Sequence, residues 1–293
     1  MKEDISVNVL LPTYNGDLFL KDQIESILNQ TYKNIKLLIR DDGSSDKTLE
    51  IVKYFQSRDP RVVVLENKEG NNNGLVKSIE KLLNFSDADV IFFSDQDDYW
   101  LENKIQIFID NYTNSEIPTL IHSNCYVTDD KLNIQYQFLN EVSNKKGLED
   151  SLFHYFVQGA SVMINNKLKE ILLPFPDNVY IHDRYFHIVS EIVGQRIYID
   201  SSTMYYRQHG GNLIGSQSIF KKIKKNFKIK KFYLYKDKVF LQTLSKKFPN
   251  NELLKIYNIL TSDTVSRIEK IKLLKKYKIS LRLKEMLLLL IKN

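Results

Sequence analysis

The chain reads as an α/β protein with a parallel sheet in its first half, a mixed region of strands and helices after it, and a helical C-terminal extension. Three observations predict this class. Short apolar runs alternate with stretches that are apolar at helical spacing over the first hundred residues. Asp-rich polar clusters follow the strand-like runs, and the composition turns Lys-rich after residue 215.

The elements follow in order. Ile5, Val7 and Val9 alternate with Ser6 and Asn8, which predicts a strand running into Pro12 and the polar loop Thr13–Gly16. Leu20, Ile24, Ile27 and Leu28 recur at helical spacing, and Ile35–Ile39 forms a second apolar run that stops at Asp41 and Asp42. Ser44–Asp46 is placed to cap a helix carrying Leu49, Val52 and Phe55, and Val62–Leu65 is a third strand. Leu75, Ile79, Leu82 and Leu83 define a further helix before the strand Val90–Phe93. Helices between successive strands imply right-handed crossovers, helices on both faces of the sheet, and ligand-binding loops at the carboxyl ends of the strands. The clusters Thr13-Tyr14-Asn15, Asp41-Asp42-Gly43-Ser44 and Asp95-Gln96-Asp97-Asp98 each follow a strand at that edge, so they should converge. A mixed region follows, with strands at Leu120–Val127, Arg196–Ile199 and Met204–Tyr206 and a helix at Asp183–Val193. Beyond Gly215 the pattern is helical.

With 293 residues and 43% hydrophobic content, the chain has enough apolar side chain for one large domain and an appendage. The one cysteine, Cys125, excludes an intrachain disulfide and suits a reducing, cytoplasmic compartment. No signal-peptide pattern opens the chain, and no run reaches the roughly 18 apolar residues of a spanning helix. The net charge of +6 is unevenly spread: Gln217–Asn293 carries 21 Lys and Arg against 5 Asp and Glu, which leaves the first 216 residues net acidic. Lys221, Lys222, Lys224, Lys225, Lys228, Lys230 and Lys231 interleave with Phe220, Ile223, Phe227 and Ile229, and a second apolar set, Ile271, Leu273, Leu274, Tyr277 and Met286–Ile291, lies beside Lys272, Lys275, Lys276 and Lys278. Such a region suits the anionic inner face of a membrane, as a peripheral contact, or packs on protein with its lysines solvated. Nucleic acid is excluded as a partner, because no recognisable binding fold accompanies the charge.

Several side chains are candidates for chemistry. Asp95 and Asp97, spaced D-x-D after an apolar strand, can hold a hard divalent cation that takes further oxygens from phosphates; a solvated acidic turn is the plain alternative. Asp41–Ser44 offers acceptors to a base N–H or a ribose hydroxyl, or serves as a helix cap. Pro12 and Thr13 open the first loop, where backbone and hydroxyl groups face a nucleotide base and Tyr14 stacks or packs; a turn alone is the other reading. Trp100 either stacks on a sugar ring or belongs to the core.

Three motifs together carry a family resemblance: Leu11-Pro12-Thr13-Tyr14-Asn15-Gly16, Asp41-Asp42-Gly43-Ser44-Ser45-Asp46 and Asp95-Gln96-Asp97-Asp98-Tyr99-Trp100. They resemble the family 2 glycosyltransferases with the GT-A nucleotide-diphospho-sugar fold, a Rossmann-like mixed sheet. Ile181-His182-Asp183-Arg184-Tyr185 and Tyr206-Arg207-Gln208-His209-Gly210 extend the resemblance to about residue 215, and the Asp-Gln-Asp-Asp-Tyr-Trp and Tyr-Arg-Gln-His-Gly forms are similar to bacterial rhamnosyltransferase-like members.

The resemblance implies a catalytic domain over 1–215, with a nucleotide-binding half at 1–100 and an acceptor half at 101–215, and a basic region at 216–293. It implies that Asp42 binds the nucleobase, Thr13 lines the base pocket, Asp95 meets the ribose region, and Asp97 holds Mg²⁺ or Mn²⁺ bridging the diphosphate. His209 then falls at a metal or diphosphate position, with a structural hydrogen bond as its alternative. Asp183 takes the catalytic-base position, with helix N-capping as its alternative, and His182 accompanies it. Gln158 and Gly159 resemble the loop beneath the acceptor or donor sugar; a strand bulge is the other reading. The implied reaction is inverting transfer of one sugar from a nucleotide diphosphate donor, dTDP-L-rhamnose or a UDP-hexose, to a glycan or lipid-linked hydroxyl in surface polysaccharide synthesis. Glu102 stands where the family usually has proline, and the processive motif Q-x-x-R-W is missing, which favours one sugar per encounter. A sugar-phosphate nucleotidyltransferase would need a glycine-rich triphosphate loop that Pro12–Asp17 lacks, and a non-catalytic binding protein would not need Asp97 and Asp183 together.

Overall fold

A computed structural model describes residues 5–67, 72–113, 116–138, 151–152, 157–210, 239–262 and 264–277. The chain divides into two compact units, one of residues 1–145, 156–175 and 181–215, the other of residues 146–155, 176–180 and 216–293.

The first unit opens as the periodicity predicts, with β1 (Val7–Thr13), α1 (Leu20–Leu28), β2 (Ile35–Asp41), α2 (Thr48–Gln56), β3 (Val62–Val64), α3 (Leu75–Phe85) and β4 (Val90–Phe93). β1 pairs in parallel with both β2 and β4, and β2 with β3. A strand in that position is covered on both faces, and all seven β1 residues are buried rather than alternately so. Its inward Asn8 is accommodated by donating to Ser86 Oγ at 3.0 Å. β1 extends through Pro12 and Thr13, so the loop begins at Tyr14 and not at Pro12.

The rest of the sheet is mixed. β5 (Tyr99–Trp100), α4 (Lys104–Asn111), β6 (Thr119–Thr128), β7 (Ile134–Gln137), a 3₁₀ turn (Gly159–Ser161), β8 (Val162–Asn165), α5 (Asn166–Leu172), α6 (His182–Val193) and β9 (Gln195–Arg207) complete the unit. The strand order is β3-β2-β1-β4-β8-β6-β9-β5, with β7 on β6. β8 is antiparallel to β4 and β6, and β6 runs parallel to β9. The two strands expected at 196–199 and 204–206 are one continuous strand; its pairing with β6 shifts register on either side of Asn124, which accommodates Asp200 and Ser201 without ending the ladder. Of the segment expected to cap α2, one residue meets the helix start and another does not. Ser44 donates to Asp41 instead, and it is Asp46 Oδ1 that accepts the Thr48 N–H at 2.9 Å. Apolar faces of α1, α2 and α4 join β1, β2 and β4 in one core that includes Trp100, Phe108 and Cys125.

Behind the sheet, His122 on β6 and His187 on α6 are fully buried around Arg196 of β9. Arg196 Nε binds Glu191 at 2.6 Å and its Nη1 lies 2.8 Å from His122 Nε2, which therefore accepts as a neutral imidazole.

In the second unit, helical residues 239–247, α7 (Glu252–Thr261) and α8 (Arg267–Lys276) are described. Asn251 caps α7 by accepting the Leu254 N–H, and Ser266 with Glu269 forms a capping box on α8. Ile256, Leu260 and Leu274 form a small core on which Leu253, Leu273 and Tyr277 pack. Leu273, Leu274 and Tyr277 thus serve this unit's own packing, while Ile268 and Ile271 are exposed. The lysines of 221–231, Lys278 and the run 286–291 lie outside the described residues. No helix among the described residues is long and apolar enough to cross a membrane.

Burial, and then Arg196, pushes the His122 imidazole down to about 3 from 6.5. With the folded value depressed, this site's contribution to stability is complete above about pH 6.5 and is lost as pH falls toward 3. Between pH 6 and 4, His122→Gln should flatten the dependence of unfolding free energy on pH by roughly 1.4 kcal/mol per pH unit. Urea titrations at each pH measure it, and an unchanged slope counts against a neutral buried His122.

Candidate active site

The register of β1 places the three motif loops together. Thr13 lies opposite Asp41 and Leu10 opposite Phe93, so the segments after β1, β2 and β4 leave the same edge. Asp41 is consumed locally: Oδ1 accepts from Thr13 Oγ1 at 3.1 Å, and Oδ2 accepts the N–H groups of Gly43 and Ser44 at 2.9 and 2.8 Å. The Asp42 carboxylate is buried against Arg40 Nη1 at 2.8 Å and accepts from the N–H groups of Asn73 and Gly74 at 3.1 and 2.7 Å. Although burial alone would raise it, the Arg40 guanidinium and those two N–H groups hold Asp42 below the usual carboxylate range. Arg40 is itself held by Ser78 and Asn67. Asp42 therefore stays charged and fixed at the edge.

The first and third loops are joined by a side chain that the D-x-D pattern treats as a spacer. Gln96 Oε1 accepts the Tyr14 N–H at 2.8 Å and Gln96 Nε2 donates to the Tyr14 carbonyl at 3.0 Å. The amide lies so close over Gly16 that a Cβ there would fall 2.4 Å from its Cδ and Oε1. Asn15 ties the same loop to the second, with its N–H on Ser44 Oγ at 2.9 Å and its Oδ1 accepting from Ser45 N–H at 2.8 Å.

The metal candidates meet: His209 Nε2 lies 2.8 Å from Asp97 Oδ2, although 112 positions separate them. His209 packs on Phe19 with ring centroids 4.9 Å apart, and the Arg207 guanidinium covers Phe19 at 4.2 Å. Close by, desolvation and then Asp97 and Asp183 raise Asp95 to about 7, opposed by Lys104 and by Gln158, whose Nε2 lies 3.4 Å from Asp95 Oδ2. Burial, then Asp95 and Asp97, pushes Asp98 well above the carboxylate range; its Oδ1 accepts the Arg207 N–H at 3.2 Å. Such crowding of carboxylates fits a cation site, with Asp97 and His209 the side chains that would hold a divalent ion. Among the described residues no group of three His, Cys, Asp or Glu is arranged to hold a metal on its own.

Asp183 lies inside the first turn of α6, and its Oδ1 accepts the Arg184 N–H at 2.7 Å, so it is not the N-cap. A Cβ on Gly159 would fall 3.1 Å from Asp183 Oδ2 and 3.0 Å from His182 Nε2, so the turn expected as a loop or bulge sits directly against both. His182 is buried beside Phe93 and Phe186, and burial lowers its imidazole against the pull of Asp183. Trp100 departs from the expected sugar contact. It is 1% exposed, packed on Phe92 and under the Lys104 ammonium, because β5 turns its side chain into the core. Tyr14 is exposed and contributes its backbone, and Pro12 is buried within β1. Gln96, Arg40 and Asp98 were missed as participants; the glycine at 16, two residues past Tyr14, was the one signal that something must approach the first loop.

Gly16→Ala should expel the Gln96 amide, return both Tyr14 backbone groups to water and lower stability by about 1–2 kcal/mol. Thermal unfolding tests this, with Gln96→Ala as the comparison. Additive losses in the double variant would show that the glycine does not act through Gln96.

Comparisons with known proteins agree with this geometry. The family model described as glycosyl transferase family 2 matches residues 8–172. The chain is 29% identical to the dTDP-rhamnosyl transferase RfbG of Shigella flexneri over 275 residues, covering 84% of this chain and 89% of that protein. In fold it is similar to residues 1–349 of S. aureus TarS in complex with UDP, with a TM-score of 0.60 at 15% identity over 96% of this chain and 77% of that one. It is similar too to the mannosyltransferase PcManGT of Pyrobaculum calidifontis in complex with GDP-Man and Mn²⁺, with a TM-score of 0.57 at 13% identity over 97% and 78% of the two chains. The mixed sheet is the GT-A fold, and the chain belongs to glycosyl transferase family 2.

Proposed function

We propose that this glycosyltransferase moves a single sugar, with inversion, from a nucleoside-diphosphate sugar to a hydroxyl of a surface-glycan or lipid-linked acceptor. The observation that carries the reading is the juxtaposition of two centres in one unit: Asp97 with His209 at 2.8 Å, and Asp183 seated on Gly159, both coupled electrostatically to Asp95. The likeness to RfbG, named for dTDP-rhamnose, makes dTDP-L-rhamnose the first donor to test, ahead of UDP-hexoses.

In this reading the nucleoside end lies against Thr13, Tyr14 and Asp42, and Asp95 faces the ribose. Asp97 and His209 would hold Mg²⁺ or Mn²⁺, which when bound would supply charge neutralisation for a leaving diphosphate. The Asp183 carboxylate takes the proton of the acceptor hydroxyl as that oxygen bonds to the anomeric carbon, and the bond to the diphosphate breaks on the opposite face. One displacement with one carboxylate base needs no glycosyl-enzyme intermediate and inverts the centre. Gln158, Gly159 and His182 border the base and shape the sugar side. Arg40 and the N–H groups of Asn73 and Gly74 keep Asp42 ionised and oriented, so it can accept a hydrogen bond without reorganising.

The first experiment is a panel of nucleotide sugars with Mg²⁺ and with Mn²⁺, read by thermal shift and nucleoside diphosphate release. Release from a single donor establishes the transfer reading, and a folded protein indifferent to every donor with either metal moves the assignment to a binding role. Asp97→Ala should weaken metal-dependent donor binding at least tenfold in calorimetry with the fold intact; undiminished binding would remove Asp97 from the metal role. Asp183→Asn should bind donor within threefold of the parent and lose at least a hundredfold in turnover. Normal turnover by that variant would place the base elsewhere.

A further inference from the structure

Lys104 is the first residue of α4 and is fully buried, a placement that is costly for an ammonium unless it is paired or hydrogen-bonded. Its Nζ donates to the Ala160 carbonyl at 2.6 Å, lies 3.3 Å from Met204 Sδ, and sits 4.0 Å from the centre of the Trp100 ring. An apolar side chain would fill this corner of the core without the desolvation cost, so the amine is there for what it binds.

What it binds is the 3₁₀ turn. Ala160 is its middle residue, flanked by Gly159, which meets His182 and Asp183, and preceded by Gln158, whose amide reaches Asp95. The turn is closed on its other side by Ser161, whose N–H and hydroxyl both donate to the Gln158 carbonyl, at 2.9 and 2.8 Å. One buried amine therefore holds the segment that separates the D-x-D loop from the head of α6. The bond needs only an N–H, so it survives loss of the lysine's charge.

We propose that Lys104 is a positioning residue for transfer: by holding the Ala160 carbonyl it fixes the 158–161 turn, and through it the separation of Asp95 from Asp183. The inference rests on the reading of Asp183 as the base. A shift of the turn by about 1 Å would misplace the base relative to the donor while leaving the nucleotide loops at β1 and β2 untouched, and misplacement of that size is worth up to about a hundredfold in rate.

The test uses full-length Lys104→Met, which keeps the volume without the donor, and Lys104→Gln, which keeps a donor. Crystal structures are the first readout, since they need no donor sugar. Loss of the Gln158–Asp95 contact and movement of Asp183 in the Met variant, with both restored in the Gln variant, is the expected result. A 158–161 turn unmoved in the Met variant overturns the proposal, as does failure of both variants to fold, which would make the lysine a core contact only. If the Met variant alone fails to fold, the Gln variant must show the turn in place. The second readout is dTDP release from dTDP-L-rhamnose with Mn²⁺. The Met variant should lose tenfold to a hundredfold in kcat with KM within threefold, and the Gln variant should regain most of it. A KM that rises as far as kcat falls overturns the proposal. Asp183→Asn in the same assay separates the two readings: turnover by that variant removes the base assignment, whereas an inactive Asp183→Asn beside a fully active Lys104→Met removes only the lysine.

Discussion

Parallel strands send their chains out at one edge, and in this protein β1 is the strand whose two partners decide what meets there. Paired in register with β2 on one side and β4 on the other, it aligns Thr13 with Asp41 and Leu10 with Phe93. The three polar segments then emerge as neighbours, and the links among them are short: Asn15 to Ser44 and Ser45, and Gln96 to Tyr14. A slip of one residue would turn each side chain to the other face and separate those groups. Complete burial of β1 resists such a slip, because every residue of the strand loses its packing together.

What the sheet assembles, electrostatics opposes. Burial and then the charges of Asp97 and Asp183 leave Asp95 at about 7, and burial with Asp95 and Asp97 pushes Asp98 well above the carboxylate range. The protein meets part of this cost with hydrogen bonds from Gln158 and the Arg207 N–H and with the amine of Lys104. A contrast within the same edge is instructive. Asp42, given a guanidinium and two backbone N–H groups, is held below the usual range although burial opposes it too. The Asp42 end of the edge is thus pre-set as charged, while the D-x-D end gathers like charge of the kind that a divalent cation would relieve.

The first half of the fold was legible because each strand is an apolar run with a sharp polar stop and each helix shows its stripe: Leu20, Ile24 and Ile27 on α1, and Ile79, Leu82 and Leu83 on α3. The second half was less so. β5 and β8 are short, and β7 is exposed at every position, so neither length nor periodicity marks them. α4 was missed although Ile105, Phe108 and Ile109 are spaced for a helix, since a lysine at its buried start reads as surface. In the site, the motifs identified which loops matter, but not which atoms meet. Asp97 and His209 are 112 residues apart and Asp95 and Gln158 are 63 apart, distances along the chain that only the closed sheet shortens. Local spacing carries no information about such pairs.

The segment 95–100 shows why residues within one motif divide between chemistry and packing. It must leave β4 at the site edge and, within six residues, enter β5 to pair with β9 through Tyr99 and Trp100. Asp95 and Asp97 remain at the edge, Gln96 turns to the first loop, and Asp98 and Trp100 are drawn into the core. Trp100 gains packing on Phe92 there, which an exposed sugar platform would forgo. Asp98 gains no such packing, and its placement is better understood from its partner: its Oδ1 receives the Arg207 N–H, the last residue of β9, two positions before His209. The same Arg207 covers Phe19, on which His209 packs. The cost of burying Asp98 is therefore tied to fixing the end of β9, and with it the imidazole that meets Asp97.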